Sequence, residues 1–128
     1  MDITRYIPER DEGRLMRLLE KEGSEWACYW AEPDSAKYRA ALGDSITYVA
    51  HEAGDIRGYS RSLDDCGFYV YVCDLLVDRE CRGQGIGRML MDAVVRDYPG
   101  REVFVMSDED GYYEKLGLNR AGSIFEVN

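Results

Sequence analysis

Between Arg82 and Arg88 the chain reads Arg-Gly-Gln-Gly-Ile-Gly-Arg, three alternate glycines framed by two guanidinium side chains. An apolar run, Phe68 to Val77, leads into this segment. A pattern with Ile86, Met89, Leu90, Ala93 and Val94 on one helical face follows it. A strand that turns through such a loop into a helix presents the first-turn N–H groups, which have no partner inside the helix. With the positive end of the helix dipole they form a site suited to phosphate oxygens. Glycine at 83, 85 and 87 lets the backbone come close to an anion, and Arg82 and Arg88 add positive charge beside it. A second candidate is Asp74, the one carboxylate inside the apolar run, where a charge needs either a partner or a purpose.

Several ligands use such a cradle. A Walker loop requires G-x-x-x-x-G-K-[ST], and Gly87-Arg88-Met89 offers no lysine and hydroxyl. A dinucleotide fingerprint requires G-x-G-x-x-G after a first strand near the N-terminus, and Gly83-Gln84-Gly85-Ile86-Gly87 has neither that spacing nor that place. The pyrophosphate of coenzyme A remains, against the plainer reading that the glycines serve only a tight turn.

The elements that must position these groups can be read from periodicity and breakers. Ile3 to Ile7 reads as a strand ended by Pro8, and Glu9 to Glu22 as a helix stopped by Gly23. Trp26, Tyr29 and Trp30 form an aromatic knot before Pro33. Asp34 is placed to cap a short helix that ends at Gly43. Ile46–Glu52 and Ile56–Leu63 read as a hairpin around Ala53-Gly54-Asp55, with a second turn at Asp64 to Gly67. The run Phe68–Val77 predicts a central strand covered on both faces. Beyond the glycine loop come a helix to about Tyr98, a strand Glu102–Met106, a short helix Asp108–Leu116 stopped by Gly117, and a last strand Ser123–Val127. This order predicts a single α/β domain over residues 1–128, with antiparallel strands first and a parallel crossover later.

Composition narrows the classes of function. The 128 residues are 45% apolar and 32% charged, as in an ordinary globular domain. No apolar run approaches the ~20 residues that cross a bilayer, and no secretory stretch opens the chain, so no membrane partner and a cytoplasmic location are expected. A net charge of −9 argues against nucleic acid and could favour cationic acceptors. Cys28, Cys66, Cys73 and Cys81 never form a C-x-x-C pair, and His51 is the only histidine, so no metal site is expected.

Arg82 to Gly87, preceded by Leu75-Leu76-Val77 and followed by Leu90, resembles the acetyl-CoA signature of the GNAT superfamily of N-acetyltransferases. Tyr112-Tyr113-Glu114-Lys115-Leu116-Gly117-Leu118 is similar to the family's later motif, at the family's usual separation. Together the likeness covers residues from about 68 to 125. It implies a mixed, mostly antiparallel central sheet with a splayed parallel strand pair and about four flanking helices. It also implies acetyl-CoA as co-substrate. The pantetheine arm would pair with the backbone around Leu75, Leu76 and Val77, and the diphosphate would sit on Arg82, Gly83, Gln84, Gly85, Ile86, Gly87 and Arg88.

Further roles follow only from that resemblance. Tyr113 matches the family position whose phenol serves the departing thiolate, or else packs beneath the cofactor; Tyr112 is expected in the core. Asp74 stands where glucosamine-6-phosphate N-acetyltransferases have an acidic residue. It is either the base or a carboxylate paired with an arginine. Many members carry a glutamate five residues earlier, where this chain has Tyr69. Ser107 falls where relatives often place an asparagine that bonds the pantetheine. Trp26, Tyr29 and Trp30 would line the acceptor pocket, or pack as core. The implied reaction moves an acetyl group onto a primary amine of a small molecule. The rivals are a protein amine as acceptor and an acyl-CoA sensor without turnover. Family members often dimerise, so a homodimer is a further expectation.

Overall fold

The computed structural model describes residues 1–128. Five strands form one sheet in sequence order: β1 (Asp2–Arg5), β2 (Ile46–Glu52), β3 (Asp55–Asp64), β4 (Tyr69–Val77) and β5 (Glu102–Val105). The first four are antiparallel neighbours, and β4 runs parallel to β5. Five helices flank them: α1 (Pro8–Glu22), α2 (Ala27–Trp30), α3 (Ser35–Asp44), α4 (Ile86–Asp97) and α5 (Asp110–Lys115). This is the mixed, mostly antiparallel sheet the sequence predicts, with one helix more than expected. The addition is α2, a single turn inside the aromatic knot.

Local chemistry explains the boundaries. Pro8 is the first residue of α1 rather than the end of a strand, because its missing N–H costs nothing there. β1 correspondingly stops at Arg5. Asp11 accepts the Ile7 N–H at 2.9 Å and so satisfies one orphan donor of α1. The two-residue turn Ala53-Gly54 joins β2 to β3 with φ of 53° and 85°, a twist that matches the flanking strands. Asp34 occupies the cap position of α3 but makes no side-chain cap bond, and Gly43 lies inside the helix rather than past its end.

A bulge in β4 decides which side chains face which layer. Arg61 pairs with Asp74 and Ser62 with Val72, so Cys73 is an extra residue without a partner on β3. Before it, Val70 and Val72 pack with Ile86, Leu90 and Val94 of α4. After it, Leu76 packs with Leu15, Leu18 and Leu19 of α1, and with Tyr38 and Tyr59. β4 is therefore interior, as predicted, although Phe68 lies outside it and is exposed. Each of the fully buried leucines contributes roughly 1.5–3 kcal/mol relative to exposure.

The expected strand Ser123–Val127 is absent. The segment is irregular, and Ile124, Phe125 and Val127 are exposed. A strand persists only where a neighbour completes its ladder, and the tail meets none.

Candidate functional site

The parallel pairing of β4 and β5 is short. Tyr69 to Val72 pair with Glu102 to Val105, and the Met106 N–H donates to the Val72 carbonyl at 2.9 Å. From Cys73 to Val77 β4 continues against β3 alone. The sheet thus opens at the bulge, and Leu75, Leu76 and Val77 lie along the strand beyond the opening. The Val77 carbonyl accepts from Arg82 Nε at 3.1 Å, which folds the start of the glycine loop back on the strand end.

That loop delivers free amides to the same end. Gly83 and Gly85 have φ of 84° and 80°, and a Cβ on either would meet nothing. Their glycine requirement is the left-handed backbone itself. α4 begins at Ile86 with no side-chain cap, and its first bond runs from the Met89 N–H to the Gly85 carbonyl. None of the chain's hydrogen bonds uses the amides of Gly83, Gln84, Gly85, Ile86, Gly87 or Arg88. Unpaired N–H groups at a helix start suit a diphosphate. The two arginines are less free than charge alone suggests. Arg82 pairs with Glu22 at 2.9 Å and Arg88 with Asp92 at 3.1 Å.

Gly87 has a different cause. A Cβ there would collide with the Tyr112 hydroxyl and crowd Tyr112 Cζ at 3.3 Å, with Leu75 Cδ2 in ordinary contact at 3.7 Å. Tyr112 is thus not core: it is 39% exposed and lays its hydroxyl over the first turn of α4. The expected core position fails because α5 is only six residues long and none of its residues is fully buried. Tyr113 is the more buried of the two, and its ring meets that of Tyr112 edge-on at 5.0 Å. Burial pushes the Tyr113 phenol up to about 12, and the nearby Asp108, Tyr112 and Glu109 reinforce this. It stays protonated at neutral pH. Ser107 is committed locally: its hydroxyl donates to Asp110 at 2.7 Å and accepts the Glu109 N–H at 3.2 Å.

Asp74 is 6% exposed and sits one residue past the bulge. Its Oδ2 accepts from Arg61 Nε at 2.6 Å and from the Tyr38 hydroxyl at 2.7 Å; Oδ1 accepts from Tyr29 at 3.3 Å. Tyr38 and Tyr59 share a hydrogen bond at 2.7 Å. Burial and the Asp74 charge push Tyr38 well up, and burial and Asp74 push Tyr29 up to about 12. Burial works against the Arg61 charge, but the hydrogen bond and attraction to Asp74 prevail and raise it. The aromatic knot extends this cluster. Tyr29 lies on Tyr38 at 4.3 Å, Trp26 meets Tyr29 at 5.6 Å and Tyr59 at 6.5 Å, and Trp30 Nε1 donates to the Gly23 carbonyl at 3.0 Å. These rings are half-buried against the α1 side of the core.

Arg61, Tyr38 and Tyr59 were not legible as site residues. Each sits in an ordinary amphipathic element, and the only signal was the unexplained charge of Asp74. Tyr69, at the glutamate position of many relatives, leans at a tilt against Phe104 and Tyr71, ring centroids 5.5 and 6.1 Å away. His51 is half-buried near the end of β2 and bonded to Thr4 at 3.2 Å.

Comparison with known proteins agrees with this architecture. The acetyltransferase (GNAT) domain family matches residues 43–118. Serotonin N-acetyltransferase 2, chloroplastic, of Oryza sativa subsp. japonica is 30% identical over 117 residues, spanning 88% of this chain and 50% of that protein. The chain thus spans about half the length of that curated relative. An aminoglycoside acetyltransferase from an uncultured soil metagenomic sample, solved with sisomicin, superposes with TM-score 0.72 at 25% identity over 99% and 95% of the two chains. The ribosomal-protein-alanine N-acetyltransferase of Brucella melitensis biovar Abortus 2308 superposes with TM-score 0.72 at 20% identity, over 100% and 99%. With its open strand pair, its unpaired amide loop and a family match across most of the sheet, the chain belongs to the GNAT family of acetyltransferases.

Proposed function

We propose that residues 1–128 act as one domain that transfers an acetyl group from acetyl-CoA to the primary amine of a small molecule. The observation that carries this reading is the coincidence of two features at one end of β4. The sheet parts after Val72, and six successive amides from Gly83 to Arg88 stand unpaired beside it. An extended arm can add to an open strand edge, and a diphosphate can sit on such amides. Leu75, Leu76 and Val77 would hold the arm, and Arg82 to Arg88 the diphosphate. Ser107, already bonded to Asp110, would contribute only after local rearrangement.

The acceptor must lose a proton before attack, since an alkylamine titrates near 10.4. Asp74 already accepts three donors, so few of its lone pairs are left for an ammonium. Its role in this reading is to hold Tyr29 and Tyr38 beside the bulge of β4, while water relays the proton. Tyr113 keeps its proton and donates a hydrogen bond to the departing sulfur. Full transfer from a phenol near 12 to a thiolate whose acid titrates near 8.5 would be uphill by roughly 5 kcal/mol. Trp26, Tyr29 and Trp30 supply an aromatic wall for the acceptor.

The neighbour solved with sisomicin favours a small amine, and the Brucella neighbour supports a protein amine as a second reading. A screen of thiol release from acetyl-CoA distinguishes them. Small amines, aminosugars and amino acids are compared with peptides bearing free N-termini. Turnover with a small amine is expected. Tight coenzyme A binding with no thiol release for any amine would instead establish a sensor.

A further inference from the structure

The protein carries a net charge of −9, yet one concave patch gathers four of its cations. Arg14, Arg17 and Lys21 are spaced by three and four residues along α1 and so share one side of it. Arg57, near the start of β3, faces them across a cavity of about 230 Å³ whose wall also includes Asp55 and Asp78. The nearby carboxylates are spent on Lys21 and only approach Arg57: Lys21 is held by Asp78 and by Glu80, each at 3.0 Å, while Arg57 lies 3.6 Å from Asp78 and 3.7 Å from Asp55, beyond hydrogen-bond reach. Arg14 and Arg17 pair with nothing in the chain. Arg57 Nε is buried and has no hydrogen-bond partner.

Crowding like charges is unfavourable. A small dianion would relieve the crowded charge, accepting from the terminal guanidinium nitrogens of Arg57 and drawing Arg14 and Arg17 inward. We infer that this cavity, on the α1 face of the sheet, is an anion site for a phosphate monoester dianion. The same chemistry can come from a free phosphorylated molecule or from the 3′-phosphate of coenzyme A, and the experiment separates the two.

Inorganic phosphate is titrated into the full chain by calorimetry and thermal shift, with sodium chloride of equal ionic strength as control. The wild-type chain is expected to bind phosphate and melt higher. The double variant Arg14→Gln/Arg17→Gln, changed only at exposed side chains, is expected to lose about tenfold or more in phosphate affinity. Phosphate binding that persists under saturating coenzyme A identifies a free ligand. Binding blocked by coenzyme A but not by its 3′-dephospho form identifies the cofactor's own phosphate. Absent phosphate binding, or affinity equal in the double variant, overturns the site. Phosphate binding is read without acetyl transfer, so this result is independent of whether the chain turns over.

Discussion

Asp74 and Arg61 illustrate how a buried charge is made tolerable. The carboxylate is 6% exposed and the guanidinium side chain 17% exposed, and the pair closes at 2.6 Å with phenols on the remaining lone pairs. Removing one partner leaves the other buried and uncompensated, which typically costs about 3–5 kcal/mol. Asp74→Ala is therefore expected to lower the unfolding free energy by that order in a urea titration, and Arg61→Met/Asp74→Leu together by much less. An Asp74 that acted only as an exposed base would show neither effect. Tyr113 tests the chemistry at the same scale. Tyr113→Phe is expected to reduce kcat by roughly 10–100-fold while coenzyme A affinity stays within about twofold. Equal turnover in the two proteins would remove the phenol from the reaction.

Two glycines decide how elements meet, and they predict different outcomes. At Gly58 of β3 a Cβ would lie 2.9 Å from the Leu76 carbonyl and 3.3 Å from Ile86 Cγ2, so α4 rides directly on the strand pair. The carbonyl belongs to a ladder and cannot yield. Gly58→Ala is expected to cost about 1–3 kcal/mol by denaturant midpoint. At Gly87 the obstacle is the tip of a half-exposed Tyr112, which can swing away. Gly87→Ala should change global stability by less than about 1 kcal/mol, yet free α5 from α4, seen as faster amide exchange over Asp110–Lys115. The bulge at Cys73 belongs to this scale as well. One extra residue moves Asp74 and Leu76 to the α1 layer and coincides with the parting of β4 from β5.

Across the whole molecule, carboxylates outnumber cations and many are tied into the fold. Burial would raise Asp11, but the Arg10 side chain and the Ile7 N–H outweigh it and hold it below its ordinary value. Burial would likewise raise Asp78, but the Glu80 N–H and Lys21 hold it down. A depressed folded value contributes stability that is complete above the unfolded value near 3.9 and is lost as pH falls through the folded one. Melting temperature is therefore expected to be level from about pH 7 to about pH 5 and to drop steeply below about pH 4. Asp11→Asn should flatten that drop, and an unchanged acid limb in the variant would assign it to other groups.

The sequence by itself determined the parts whose physics is local. The glycine loop at Gly83 and Gly85, the stop at Gly117, the β2–β3 turn and the apolar run of β4 were all legible, because a left-handed φ, a breaker or a burial pattern is written in neighbouring residues. So was the family, through two motifs at a set separation. What only the tertiary structure decided depends on residues far apart in the chain. Arg61 and Tyr38 meet Asp74 across different elements, Tyr112 claims the space over Gly87, and Arg57 joins three cations of α1. The tail 123–127 carries a strand-like pattern and yet forms none, since pattern sets only a propensity and a partner edge supplies the hydrogen bonds that realise it.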